Sequence, residues 1–178
     1  VTLELTVPDP DAMEALGARL APLLRAGDLV LLNGELGAGK TTLTRGLGAA
    51  LGARGAVTSP TFVLAREHPT ASGVPLVHVD AYRLPSWREL DDLDLDYART
   101  IVVVEWGAGK LDGVSESWLS IDIRRLTGAA APDSAAPDTV APDSVAEVDL
   151  FGDDPRDVTI TGTGPRGLEL EASLADRD

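Results

Sequence analysis

Cysteine is absent from the 178 residues. Its absence excludes a disulfide framework and a thiolate metal site, and it agrees with a cytoplasmic protein. Aromatic residues are scarce, at 4%. Any core must therefore come from the aliphatic and alanine residues that dominate the 44% hydrophobic fraction. No apolar run approaches the length of a membrane span, so no membrane association is expected. The run Val1-Thr2-Leu3-Glu4-Leu5 lacks a basic segment followed by an apolar one, so no signal peptide is expected. Positive charge is also short: 15 Lys and Arg stand against 29 Asp and Glu, a net charge of −14. Such a surface repels phosphate backbones and argues against extended, unaided binding to nucleic acid. It leaves room for a nucleotide site, because one loop can make its own positive field. Lysine occurs only at Lys40 and Lys110, although arginine is plentiful.

Lys40 stands where one motif requires a lysine. The stretch Gly34-Glu35-Leu36-Gly37-Ala38-Gly39-Lys40-Thr41 fits G-x-x-x-x-G-K-[ST], the phosphate-binding loop. The pattern is short, and its flanks carry the argument. Asp28-Leu29-Val30-Leu31-Leu32-Asn33 reads as a buried strand. Thr41 to Leu51 reads as a helix with Leu43, Leu47 and Leu51 on one face, and Gly52 is placed to end it. Glycines let the backbone curl so that N–H groups face a phosphate, and the helix N-terminus adds its partial positive charge. Gly37, Ala38, Gly39, Lys40, Thr41 and Thr42 are the expected phosphate cradle. Lys40 is expected on the β- and γ-phosphates and the Thr41 hydroxyl on Mg²⁺.

The rest of the chain supplies a sheet. Thr2 to Val7 alternates as a half-exposed strand. A helix follows, with Asp11 and Glu14 as a capping box, Pro10 or Asp9 helping its start, and a stripe of Met13, Leu16, Leu20, Leu23 and Leu24. Pro22 should kink or shorten it. Ala56-Val57-Thr58 reads as a brief strand, and Leu64 to Gly73 as a polar loop. Leu76 to Val79, Thr100 to Val104 and Leu119 to Ile123 read as strands, and Ser86 to Glu89 as a helix start. Ala131-Pro132-Asp133-Ser134, Ala136-Pro137-Asp138-Thr139 and Ala141-Pro142-Asp143-Ser144 nearly repeat one tetrapeptide. Such a tract has little to bury, and disorder is expected over residues 127–154, as an insertion between two strands of one sheet. Asp157 to Thr161 reads as a further strand, and Leu168 to Leu174 as a docked strand or short helix. Strands alternating with helices point to one α/β domain over residues 1–178. Its expected form is a three-layer, P-loop NTPase-like fold with a mostly parallel sheet and an antiparallel extension.

Two apolar strands end in an acid. Val102-Val103-Val104-Glu105 and Val77-His78-Val79-Asp80 each deliver a carboxylate to the sheet's C-terminal edge, where ligands sit in such sheets. Together they make a pair, one for metal and one for ordering an attacking water. Which of Asp80 and Glu105 is the base stays open. Ser59-Pro60-Thr61 reads as a switch segment or an ordinary Pro turn. His78 is expected to be half-buried, on the strand face it shares with Asp80. Trp87 and Trp106 are core or interface anchors. Tyr82 and Arg83 are placed on a surface turn, with Arg83 facing Asp80 or a partner.

Four motifs in order resemble one family. They are Gly34 to Arg45, then Ser59-Pro60-Thr61-Phe62, then His78-Val79-Asp80-Ala81-Tyr82-Arg83-Leu84, then Glu105-Trp106. The set resembles the bacterial TsaE family, ATPases of tRNA threonylcarbamoyladenosine biosynthesis. The resemblance implies an Mg-dependent ATPase, slow on its own, that works with the TsaD and TsaB proteins and meets tRNA only through their complex. It implies Mg²⁺ at Thr41 and Glu105, and catalytic or switch roles for Lys40, Asp80, Glu105 and Thr61. Glu105-Trp106 is followed by Gly107-Ala108-Gly109 where the family often has Pro-Glu. Two other functions use the same loop. A small-molecule kinase needs an arginine-bearing lid, and Gly107 to Ser117 holds no arginine. A GTP-dependent switch needs Asn-Lys-x-Asp, and Gly109-Lys110-Leu111-Asp112 lacks the Asn.

Overall fold

The structure, a computed structural model, describes residues 2–60, 64–84, 94–106, 115–126 and 154–176. Thr61 with Phe62, the Ser86–Glu89 helix start with Trp87, residues 107–112 and the tetrapeptide tract lie outside the described residues.

Among the described residues seven strands form one sheet: β1 (Leu3–Val7), β2 (Leu29–Asn33), β3 (Ala65–His68), β4 (Leu76–Asp80), β5 (Ile101–Glu105), β6 (Trp118–Arg125) and β7 (Arg156–Thr163). Their spatial order is β1-β7-β6-β2-β5-β4-β3. The four strands of the middle, β6-β2-β5-β4, are parallel. The edges are antiparallel: β3 on β4, β7 on β6 and β1 on β7. The expected parallel sheet with an antiparallel extension is thus present. The chain leaves β6 at Leu126 and re-enters β7, its neighbour, from Asp154.

Three helices of the described residues lie on one face: α1 (Pro10–Leu20), α2 (Lys40–Ala50) and α3 (Gly164–Ala175). Met13, Leu16, Leu20, Leu43, Leu47, Leu170 and Leu174 meet the alternate strand residues Val30, Leu32, Val103, Ile121 and Ile160. The other face carries a smaller cluster. Leu29, Leu31, Val77, Val79, Val102 and Val104 pack there with Leu84, Leu95 and Tyr97. The sheet is therefore the middle layer, with its described helices all on one side. Alternation of side chains decides which strand residue meets which layer.

Several local features differ from expectation. The cap of α1 is Asp9, whose carboxylate accepts from Ala12 N–H at 2.8 Å, with Pro10 in the first turn. Glu14 instead pairs with Arg45 of α2 at 3.3 Å. Residues 65–68, expected as loop, are the edge strand β3, whose exposed Arg66 and Glu67 are the polar side chains a sheet edge carries. Ala56 to Thr58, expected as a strand, forms none; Val57 is buried beside Gly48 of α2 instead. The C-terminal segment resolves to a helix, α3, beginning at Gly164. The α-helix of α1 ends at Leu20 and passes into a 3₁₀ turn, Ala21–Leu23, at Pro22 as expected. Arg166 of α3 grips the buried Asp28 before β2 with two hydrogen bonds of 2.8 and 2.7 Å.

Candidate functional site

Between β2 and α2 the chain makes one tight loop. Gly39, at φ 114°, precedes the first turn of α2 in the left-handed region that favours glycine. Gly34, at φ 148°, lies so close to β6 that a Cβ there would stand 2.5 Å from the Ile123 carbonyl oxygen. Within the loop, Ala38 N–H donates to the Glu35 carbonyl at 3.1 Å. Lys40 opens α2 and is 5% exposed. Its Nζ donates to the Gly34 and Glu35 carbonyls at 2.8 and 3.0 Å and sits 3.7 Å from the centre of the Trp106 ring. Burial pulls the Lys40 pKa down to about 8 despite the opposing charges of Glu105, Asp80 and Glu35. The Gly37 and Ala38 carbonyls face the buried Arg156 guanidinium, and Thr42 is buried in the first turn of α2.

The acids come from β4 and β5, on the face that carries α2. Glu105 lies beside the loop strand, in register with Leu32, and Asp80 lies in register with Glu105 one strand further out. The Thr41 hydroxyl donates to Glu105 Oε1 at 2.9 Å. His78 Nε2 is 2.8 Å from the same oxygen. The expectation of a half-buried His78 is wrong: the ring is fully buried, because β4 is an interior strand. Its Nδ1 has no hydrogen-bond partner among the described residues, and its Nε2–H donates to the Glu105 carboxylate. Burial pushes the Glu105 carboxyl up, but bonding and charge from His78, the Thr41 bond and the Lys40 charge outweigh it. The group stays below the usual carboxylate range. Asp80 is 5% exposed, and its Oδ1 accepts from Tyr82 N–H at 2.9 Å.

The loop and the two strand ends thus bring together Lys40, Thr41, Glu105 and Asp80. Thr61 lies outside the described residues, next to the described Pro60. Three contacts had no clear signal in the sequence. One is the His78–Glu105 pair. The second is the Trp106 ring over Lys40, with Trp106 at φ 63° and Tyr82 packed on it at 5.0 Å between ring centres. The third is Arg156, whose guanidinium reaches the loop from β7. A separate groove of about 540 Å³ lies on the opposite sheet face, with Glu4, Thr6, Asn33, Asp122, Arg124 and Asp157 in its lining; it adjoins the loop at Gly34.

The donor set suits a hard cation held partly by a phosphate. Thr41 and Glu105 offer two adjacent oxygens, and no cluster of three His, Cys, Asp or Glu side chains that could hold a metal exists among the described residues. Mg²⁺ is commonly bound that way, by one or two protein oxygens with phosphate and water completing its octahedron. Among the described residues no helix is long and apolar enough to cross a membrane.

A buried strand, a glycine turn with a buried lysine, and a helix beginning at that lysine define the class: a phosphate-loop α/β protein. Comparison with known sequences gives the family. The family described as threonylcarbamoyl adenosine biosynthesis protein TsaE matches residues 7–130. A Streptomyces coelicolor protein named tRNA threonylcarbamoyladenosine biosynthesis protein TsaE is 51% identical over 166 residues, covering 91% of this chain and 98% of its own. A Bacillus subtilis protein of the same name is 31% identical, covering 96% and 92%. The crystal structure of Bacillus subtilis YdiB superposes with a TM-score of 0.68 at 27% identity, over 100% of this chain and 97% of that one. The chain belongs to the TsaE family.

Proposed function

We propose that this protein binds and hydrolyses Mg-ATP, and that it does so in the cytoplasm in support of tRNA threonylcarbamoyladenosine formation. The observation that carries the proposal is the Thr41 hydroxyl on the Glu105 carboxylate, 2.9 Å apart, beside a buried Lys40. On this reading Thr41 and Glu105 hold Mg²⁺, which when bound neutralises charge on the phosphates. The loop from Gly37 to Thr42 cradles the phosphates, and Lys40 stabilises charge on the transferring group. A phosphate in the loop competes with the Gly34 and Glu35 carbonyls for Nζ. Asp80, one strand beyond Glu105 and nearly buried, orders the attacking water. Thr61 senses the γ-phosphate.

The partners are TsaD and TsaB. The net charge of −14 supports a division of labour in which those proteins hold the tRNA and this one does not touch it. Calorimetry with Mg-ATP and a phosphate-release assay test the reading. Wild-type protein should bind Mg-ATP and turn it over slowly, and Lys40→Ala should lose at least about tenfold in release rate. Equal release by both proteins would refute the role of Lys40. A folded wild type that gives no heat of binding, alone or with TsaD and TsaB, would refute the nucleotide site itself.

A further inference from the structure

Arg156, the first residue of β7, is fully buried. Taking a cation out of water is costly, so such residues are rare unless something is gained by holding them. Its neighbours show what is held. Nε donates to the Ala38 carbonyl at 3.2 Å, Nη2 reaches the Gly37 carbonyl at 3.5 Å, and Nη1 bonds the Asp154 carbonyl. Two of these are consecutive carbonyls of the phosphate loop, 118 and 119 residues away in the chain. Burial, first, and the charge of Arg125 pull the guanidinium down from the usual arginine value, and an arginine still stays charged.

The geometry of a trans peptide gives these bonds a consequence. The C=O of one residue and the N–H of the next lie in one plane and point in opposite directions. With the Ala38 carbonyl fixed on Arg156, the Gly39 N–H points away from the guanidinium. With the Gly37 carbonyl fixed, the peptide carrying the Ala38 N–H is oriented as well. Loops rich in glycine gain the most from such a restraint, since their peptides otherwise rotate freely. A rigid, planar fork of donors is suited to gripping two neighbouring acceptors at once, which a lysine ammonium does less well.

We propose that Arg156 is a positioning residue of the phosphate loop: from behind, it holds the Gly37 and Ala38 carbonyls so that the loop keeps its curl and the Gly39 N–H is set in advance for a phosphate. The proposal rests on the reading of the loop as a nucleotide site. It makes the start of β7 part of the loop's support. A preset loop has less freedom to lose when a ligand binds, so the effect is on affinity.

Full-length wild type, Arg156→Met and Arg156→Lys test this, by calorimetry with Mg-ADP and by hydrogen exchange of backbone amides in protein without nucleotide. Losing a charge-assisted grip should weaken Mg-ADP binding about tenfold in Arg156→Met and several-fold in Arg156→Lys. Exchange at Ala38, whose N–H donates to the Glu35 carbonyl inside the loop, should accelerate, while the amides of β2 and β5 keep their protection. Unchanged affinity in either folded variant overturns the proposal. Exchange that rises evenly across the sheet also overturns it, since that shows a general structural role. Should Arg156→Met fail to fold, the same two measurements on Arg156→Lys decide between these outcomes. Should wild type bind no Mg-ADP, the nucleotide reading fails while the exchange at Ala38 still judges the brace.

Discussion

Replacing Gly46 by alanine sets two effects of opposite sign against each other. In an exposed helix interior the change stabilises by about 1 kcal/mol, because alanine has the better helix propensity. Gly46 is not exposed. It lies where α2 crosses α1, and a Cβ there would stand 2.0 Å from the Glu14 carbonyl oxygen and 2.6 Å from its carbon. On the facing helix, a Cβ at Gly17 would stand 2.1 Å from the Leu43 carbonyl oxygen. A carbon and a carbonyl oxygen rest at about 3.3–3.6 Å, so the helices would have to part by roughly 1.3 Å. The obstacle is backbone, and no rotamer change relieves it. Overpacking of this kind costs about 1–3 kcal/mol, occasionally more. A Cβ meeting backbone at 2.0 Å places the cost at the upper end, about 3 kcal/mol, so the clash wins with a net loss of about 2 kcal/mol. For a chain of this size that lowers Tm by about 4–8 °C. Urea unfolding followed by circular dichroism should show a lower midpoint at unchanged slope. Because α2 begins with Lys40 and Thr41, its displacement should also move the Thr41 hydroxyl off Glu105 and weaken Mg-ATP binding. An unchanged or raised Tm would refute the reasoning, since it would mean that propensity governs the site and the helices are free to part.

Glu105→Gln keeps the shape of the side chain and removes its charge. Mg-ATP affinity should fall at least about tenfold while ATP in EDTA binds nearly as before, and equal losses in both titrations would remove Glu105 from the metal site. His78→Leu takes one charge-assisted hydrogen bond from the buried Glu105 carboxylate, 2.8 Å away. Stability should fall by about 1–3 kcal/mol, and the Mg²⁺ requirement should rise as Glu105 loses its fixed orientation; a stability change without any shift in Mg²⁺ dependence would make His78 purely structural. The Lys40 pKa near 8 gives an alkaline limb. Phosphate favours the charged lysine, so binding takes up a proton above that pH. Affinity for Mg-ATP should be flat below it and then fall with rising pH, approaching tenfold per unit. Calorimetry between pH 7 and 9.5 reads this, and a flat profile would show that the lysine carries its proton throughout.

Local patterns carry much of this fold. The loop is a contiguous motif whose flanking strand and helix can be read from one stretch, Asp28 to Gly52, and Glu105 and Asp80 stand out because each closes an apolar run. What escapes the sequence is decided by register and by distance along the chain. The edge strand β3 looks like loop because its outward residues, Arg66 and Glu67, are charged for the sake of an open edge. Full burial of His78 follows from β3 closing over one side of β4, so missing β3 also meant missing that burial. The His78–Glu105 pair needs β4 and β5 to be neighbours in a parallel register of Val103 with His78, which no local pattern encodes. Arg156 is the extreme case: nothing near it in sequence distinguishes it from the exposed Arg124 that pairs with Asp157.

Charge gives these details a common direction. Around Lys40 stand Glu105, Asp80 and Glu35, each close enough to favour its protonated form. One lysine facing three carboxylates, in a chain of net charge −14, is a poor host for a bare triphosphate. Two features shift that balance without adding a lysine. The N-terminus of α2 presents its partial positive charge to the loop, and the buried Arg156 sets a full one behind it. A divalent cation would supply the remainder, entering with the nucleotide and meeting the Thr41 and Glu105 oxygens. The acidity of the chain and the oxygen pair at the loop therefore make the same demand. Nucleotide affinity should depend on Mg²⁺ more steeply here than in a phosphate-loop protein whose site holds several free lysines or arginines. Substituting Asp80 by Asn should flatten that dependence by removing one of the opposing charges. A dependence on Mg²⁺ that Asp80→Asn leaves as steep as wild type would mean that the cation answers to Glu105 alone and that the field of the other acids is screened.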